Sequence, residues 1–235
     1  MPSAAEEHTA IQAAPYDVGH SAAVNGSAAV LYMTGVTAQM KEDVMYSTLW
    51  AQIQSDRMFP GRPMDKRKEW HDNYQAVLLG LGWTVKSFSE TELGNASAYG
   101  SVDRLVIELE VEDLDDQEFV LFQDMISSLR KPANSDPLRV FDQMAVHSLD
   151  AGFQVGVVSN SESNALFKCG AHQYNSKSDT VSSALFYTFT PTAIVPYFAV
   201  NQIMELDTDK YAGLRDIVRA HISDVVQDLI REIEL

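Results

Sequence analysis

The chain has 235 residues, 46% hydrophobic and 21% charged, with a formal net charge of −16 from 33 Asp+Glu against 17 Lys+Arg. Such a length buries about 70–75% of its unfolded surface without staples. The acidic balance argues against a nucleic-acid surface and against simple electrostatic docking on anionic lipid, and the single cysteine, Cys169, excludes an internal disulfide.

Residues 1–26 are rich in Ala and Ser and have neither a basic n-region nor an apolar h-region. They read as a disordered lead rather than a signal peptide, so cytosolic synthesis is expected, with any release by a route that needs no signal peptide. Residues 27–235 read as one domain. Ser27–Met33 is an apolar first strand. A helix over Thr37–Asp56 follows, with Thr37 as N-cap and Met40, Val44, Met45, Leu49, Trp50 and Ile53 on one stripe. Phe59–Pro63 breaks it, and Asp65–Leu81 restarts helical spacing through Trp70, Tyr74, Val77, Leu78 and Leu81, ending at Gly82. The two should form an antiparallel hairpin.

Trp83–Ser89 reads as a strand and Glu90–Ser101 as a loop. Arg104–Val111 alternates, with Leu105, Ile107, Leu109 and Val111 facing in and Glu108 and Glu110 facing out, which predicts a half-buried strand. Asp115 and Glu118 form a capping pair for a helix carrying Phe119, Phe122, Met125, Ile126 and Leu129. Ser135-Asp136-Pro137 starts its hairpin partner, through Phe141 and Met144. After Gly152 the period becomes two. Phe153–Asn160, Ala165–Asn175, Thr180–Thr190 and Ala193–Met204 are strand candidates for an antiparallel meander. Asp207 or Thr208 caps a last helix whose broad apolar face runs from Tyr211 to Ile233.

The expected class is therefore α+β: a single-domain layered fold, with an antiparallel sheet of about four to six strands under helix hairpins and a C-terminal amphipathic helix. From about Ser27 onward, this order of elements resembles the Cyt-type cytolysins; it is order alone, with no motif residue. The resemblance implies helix hairpins wrapped around a sheet and action on membranes without catalysis. The chain departs from that pattern in its more polar first helices and its amphipathic last one.

No residue is singled out as catalytic, cofactor-binding or metal-ligating. The histidines at 8, 20, 71, 147, 172 and 221 have no zinc spacing, and no nucleophile elbow, Walker or dinucleotide motif is present. Cys169 and His172, three apart on a strand, point to opposite faces, so Cys169 reads as a small buried residue. The acids Glu108, Glu110, Glu112, Asp113, Asp115, Asp116 and Glu118 read as a solvated strand face and a helix first turn. Lys66, Arg67 and Lys68 read as a solvated helix end, and the acceptor patterns at Asn25 and Asn95 carry no meaning without export.

Thr180–Met204 contains no charged side chain. Pro191, Pro196 and its threonines exclude a membrane-spanning helix, and its aromatic and β-branched residues favour two strands covered on both faces. Phe186, Phe189, Tyr197 and Phe198 would pair across them. The function expected is a non-enzymatic binding or self-associating protein, toxin-like or membrane-acting through a conformational change. The alternatives are a scaffold whose last helix packs on a protein partner, and an enzyme in which His147, Cys169 or His172 converge in a pocket. The partners expected are a protein or a second copy, or a membrane.

Overall fold

In the computed structural model, which describes residues 19–110, 112–177 and 179–235, the chain opens with strands β1 (Ser21–Asn25) and β2 (Ala28–Tyr32). They form an antiparallel hairpin in which Asn25 pairs with Ala28 and Gly26 has φ +61. β1 falls within the sequence expected to be a lead; the first 18 residues of that lead, His8 included, lie outside the described residues. Next comes α1 (Ala38–Met58), capped by Thr37, which accepts from Met40 N at 3.1 Å. Gly61 at φ +74 and Arg62 at φ +44 turn the chain into α2 (Arg67–Gly80), which packs on α1. β3 (Trp83–Leu93) runs four residues beyond the expected strand end at Ser89.

Residues expected as a strand at Arg104–Val111 instead form α3 (Val102–Glu110); Val111 itself lies outside the described residues. The segment satisfies two periods at once. Leu105, Ile107 and Leu109 alternate, but Val102, Leu105, Val106 and Leu109 also make a helical stripe, and that stripe is the one packed in the core. Leu and Glu are strong helix formers, which favours the second reading. α4 (Asp116–Ser128) begins at the expected capping box between Asp115 and Glu118, and α5 (Ser135–Ala145) follows a short turn at Pro132–Asn134.

Strands β4 (Val146–His147), β5 (Asp150–Ser161), β6 (Asn164–Asn175) and β7 (Tyr197–Leu206) come next, then α6 (Thr208–Ala212) and α7 (Arg215–Leu229). The expected single last helix is thus divided near Gly213, and its end becomes β8 (Ile230–Ile233), antiparallel to β1. Pairing there satisfies the free backbone edge of β1, which a further helical turn would leave open.

The sheet order is β3-β7-β6-β5-β2-β1-β8, with β4 beside β5; every pair is antiparallel except β2–β5. The fold is α+β, with a wider sheet than expected because β1, β4 and β8 are set by non-local pairing. Each face carries its own core. α1, α2, α6 and α7 cover one face over Val30, Phe167, Cys169 and Met204. α3, α4 and α5 cover the other over Phe153, Val155, Val157 and Tyr174.

Candidate functional site

Between β6 and β7 the chain leaves the sheet. Residues 180–196 contain no charged side chain and form no helix or strand, only a bridge between Ser101 and Thr188. Structureless stretches longer than about 12–15 residues are uncommon inside a compact domain and usually functional. This one is stored, not loose: Val181, Ala184, Leu185, Tyr187, Phe189 and Val195 are buried in the α3–α5 core. From Leu185 to Thr190 burial alternates, with Leu185, Tyr187 and Phe189 inward and Thr188 and Thr190 exposed. The period-two pattern is therefore present, but the expected strand at Thr180–Thr190 is not. β6 is already paired with β5 on one side and β7 on the other, so the sheet has no position left there for it.

Named contacts hold the stretch down. Asp142 of α5 accepts from Ala184 N at 2.8 Å and Ser183 Oγ at 3.1 Å, and burial holds its carboxyl above the usual range against those two bonds. Tyr174 Oη donates to Ala184 O at 2.9 Å. Asp179 accepts from Tyr187 Oη and Thr190 Oγ1. The start of α3 holds the middle: Val102 N donates to Tyr187 O at 3.0 Å, and Phe189 N donates to Gly100 O at 2.9 Å. Asn95 accepts from Val195 N at 3.1 Å. The expected aromatic pairing across two strands is replaced by other partners. Tyr174 stacks on Tyr187 and Tyr197, Phe186 lies under Arg130, and Phe198, on the opposite face, lies under Arg67 and Lys68.

The other end of α3 carries a buried pair. Glu110 Oε1 lies 3.2 Å from His172 Nε2, with side-chain exposures of 1% and 0%. The alignment misses hydrogen-bond geometry, so both atoms lack a hydrogen-bond partner among the described residues. A Cβ at residue 170 would fall inside the Glu110 carboxylate; only glycine leaves that space. Burial raises the Glu110 carboxyl above its usual range, opposed by His172. The acidic run is thus not the solvated strand face expected. Glu110 lies on the inward stripe of a helix, at i+4 from Val106, and Glu118, 5% exposed, pairs with Lys168 at 2.7 Å.

The remaining sequence candidates do not converge. Cys169 faces the α1–α2 side, where burial pushes its thiol up to about 12, whereas His172 faces α3, as their spacing required. His147 lies in β4, where burial and then Arg62 hold its imidazole below the usual range, opposed by Asp56 and Asp150. Arg67 and Lys68 are not a free basic end, because they pair with Glu92 and Glu90 of β3. Asn25 is fully buried and donates to Met45 O and Thr48 Oγ1. α7 turns Val218 and Ile222 into the protein's own core, leaving Ile217 as its exposed large apolar residue.

A cavity of about 510 Å³ opens at one end of the sheet beside Asp65, Arg67, Glu92, Asp150 and Lys177; none of His147, Cys169 and His172 lines it. A smaller hole of about 20 Å³ beside Arg62, His71 and His172 has room for about one water. Among the described residues no group of His, Cys, Asp and Glu is placed to hold a metal ion, and no helix is long and apolar enough to cross a membrane.

No protein-family model matches the chain, and no curated protein matches it by sequence. Among solved structures it is similar to a delta-endotoxin, at 8% identity and a TM-score of 0.42 over 77% of this chain and 81% of the other. It is also similar to the Evf virulence factor, at 11% identity and a TM-score of 0.32 over 88% of this chain and 82% of the other. These are weak resemblances at the level of the fold.

Proposed function

We propose that this is a non-enzymatic, toxin-like protein that acts on a lipid bilayer through a conformational change. Residues 180–196 leave the α3–α5 face and pair as a strand with other copies of the chain. The observation that carries the reading is that stretch itself: free of charge, alternating like a strand from Leu185 to Thr190, and lying outside the sheet with a single bridge at Thr188. Strands of about 9–11 residues suffice to cross a bilayer. Lipid offers no hydrogen bonds to a free backbone, so such a strand is stable there only when paired, which makes self-association part of the act. The resemblance in element order to Cyt-type cytolysins accords with this reading and does not carry it.

A disulfide lock tests it. Ser101 and Thr188 form an antiparallel bridge whose hydrogen bonds run between their neighbours, Val102 to Tyr187 and Phe189 to Gly100. In such non-hydrogen-bonded pairs the Cα atoms are about 4.5 Å apart, within disulfide reach. Wild-type protein should release dye from liposomes. Oxidised S101C/T188C should not, and a reductant should restore release. No release by wild type under any condition, or equal release by the oxidised lock, would overturn the proposal.

A further inference from the structure

α2 carries two unmet polar groups on one face. Arg67 and His71 stand four residues apart, so their side chains lie one above the other on the helix. Arg67 Nη1 donates to Met64 O and Nη2 to Glu92 Oε1, each at 2.9 Å, but its Nε is buried without a hydrogen-bond partner among the described residues. His71 is 3% exposed, and both of its ring nitrogens are buried without one. Buried polar groups of native proteins are nearly always hydrogen-bonded, to protein or to ordered water.

Both side chains line the hole of about 20 Å³ between α2 and the sheet, which has room for about one water. Small residues, Gly152 and Ala171, lie at its floor, and the rings of Trp70 and Phe198 stand in its wall. Arg62 lies against Gly152, where an added Cβ would come 3.0 Å from Arg62 Cδ. We propose that this hole is a hydration site, in which one long-lived water accepts from Arg67 Nε and bonds a ring nitrogen of His71, bridging the two groups inside the seam between α2 and the sheet.

The chemistry of the lining selects water over an ion. Arg62 is paired with Asp56, and Arg67 with Glu92, so the cations that border the hole are already balanced. Burial, against Glu90 and Gln202, pushes the His71 imidazole down to about 4, so the ring is neutral near pH 7 and keeps one nitrogen as an acceptor. A halide can only accept, and it would leave that nitrogen unmet. A cation would find only a donor in Arg67. Water plays both parts at once, and the helical spacing brings both partners within reach of a single oxygen.

The water also joins this seam to the larger cavity. With it in place Arg67 is held at Nε, Nη1 and Nη2, and the same residue lines the cavity of about 510 Å³. The hydration site thereby positions that part of the cavity wall, and it does not depend on any release of residues 180–196.

Rotating-frame NMR of the isotope-labelled full chain reads the site, because contact with a bound water and proton exchange with bulk give cross-peaks of opposite sign. Arg67 Hε should show a water cross-peak of the contact sign. In H71L, which removes the ring nitrogens, that cross-peak should be lost. In H71Q, whose amide keeps a donor and an acceptor, it should be retained. A wild-type Hε with no contact-sign cross-peak, or one whose signal is lost to exchange with bulk, overturns the site whether or not the variants fold. An undiminished cross-peak in H71L overturns it as well, and so does a cross-peak seen only in halide-free buffer, which would make the resident a halide.

Discussion

The two faces of the sheet are covered by opposite chemistry. Of the eight buried residues of α1, five are polar (Asp43, Ser47, Thr48, Gln52, Ser55) against Val44, Leu49 and Ala51. They meet specific partners. Gln52 bridges Ser27 N at 3.0 Å and Asn25 O at 3.1 Å, Asp43 takes both arms of Arg215, and Arg62 ties Asp56, Ser27 Oγ and Gly152 O together. On the opposite face Val102, Leu105, Val106, Phe122, Met125, Ile126, Val140 and Phe141 pack with no such partners. Apolar contact is non-directional, so a stretch held by it can exchange one apolar surrounding for another. Hydrogen-bonded contacts are satisfied in one register only. The α1–α2 hairpin is fixed by such bonds, whereas residues 180–196 carry both kinds of contact, apolar packing on α3–α5 and the bonds from Asp142, Tyr174, Asp179 and Asn95, so their proposed release has to break those bonds as well.

Substitutions can break or sharpen that contrast. The largest loss is expected from Arg62→Ala, which leaves Asp56 with Trp70 Nε1 as its remaining partner and removes the donor to Ser27 Oγ and Gly152 O: about 3–5 kcal/mol in urea unfolding. Arg62 is 2% exposed, so solvent screens the pair little. Leu185→Ala should cost about 2–5 kcal/mol, but it should act first on exchange at 180–196 and leave β5 and β6 protected. Equal loosening of the two strands would remove the distinction between the faces. Gln52→Ala should cost about 1–3 kcal/mol by leaving Ser27 N and Asn25 O unsatisfied, read as a shift in unfolding midpoint. Asp115→Ala, which deletes the side-chain half of a helix cap, should cost about 1 kcal/mol, read as a small shift in unfolding midpoint.

Much of the fold was legible from local signals. Thr37, the Asp115–Glu118 box and the alternation of β5 and β6 needed only neighbours in sequence to be read. What escaped was set by distant partners. α3 satisfies both periods, and only packing chooses between them. Residues 185–190 carry a strand pattern, but β5 and β7 already occupy both sides of β6. Ile230–Ile233 looked like helix until β1 offered an edge. The buried polar residues of α1 meet Asn25 and Ser27, and Gln52 lies 25 residues from Ser27, so no local pattern marks them. Within the site, the absence of charge in 180–204 could be read directly, and so could the separation of Cys169 from His172. The pairing of Glu110 with His172 could not, because misreading α3 as a strand pointed Glu110 outward.

The contrast between the faces can be measured in one molecule. Leu185→Cys places a thiol under the stored stretch, while Cys169 lies beneath α2 on the other face, fully sealed and with its thiol pushed up to about 12. Labelling of native protein with a thiol reagent, resolved by peptide, should modify residue 185 through local opening at a rate insensitive to low denaturant. Cys169 should react only as fast as the whole protein unfolds. Equal rates at both sites, both rising with denaturant, would show that residues 180–196 open only with the rest of the fold and would contradict the account.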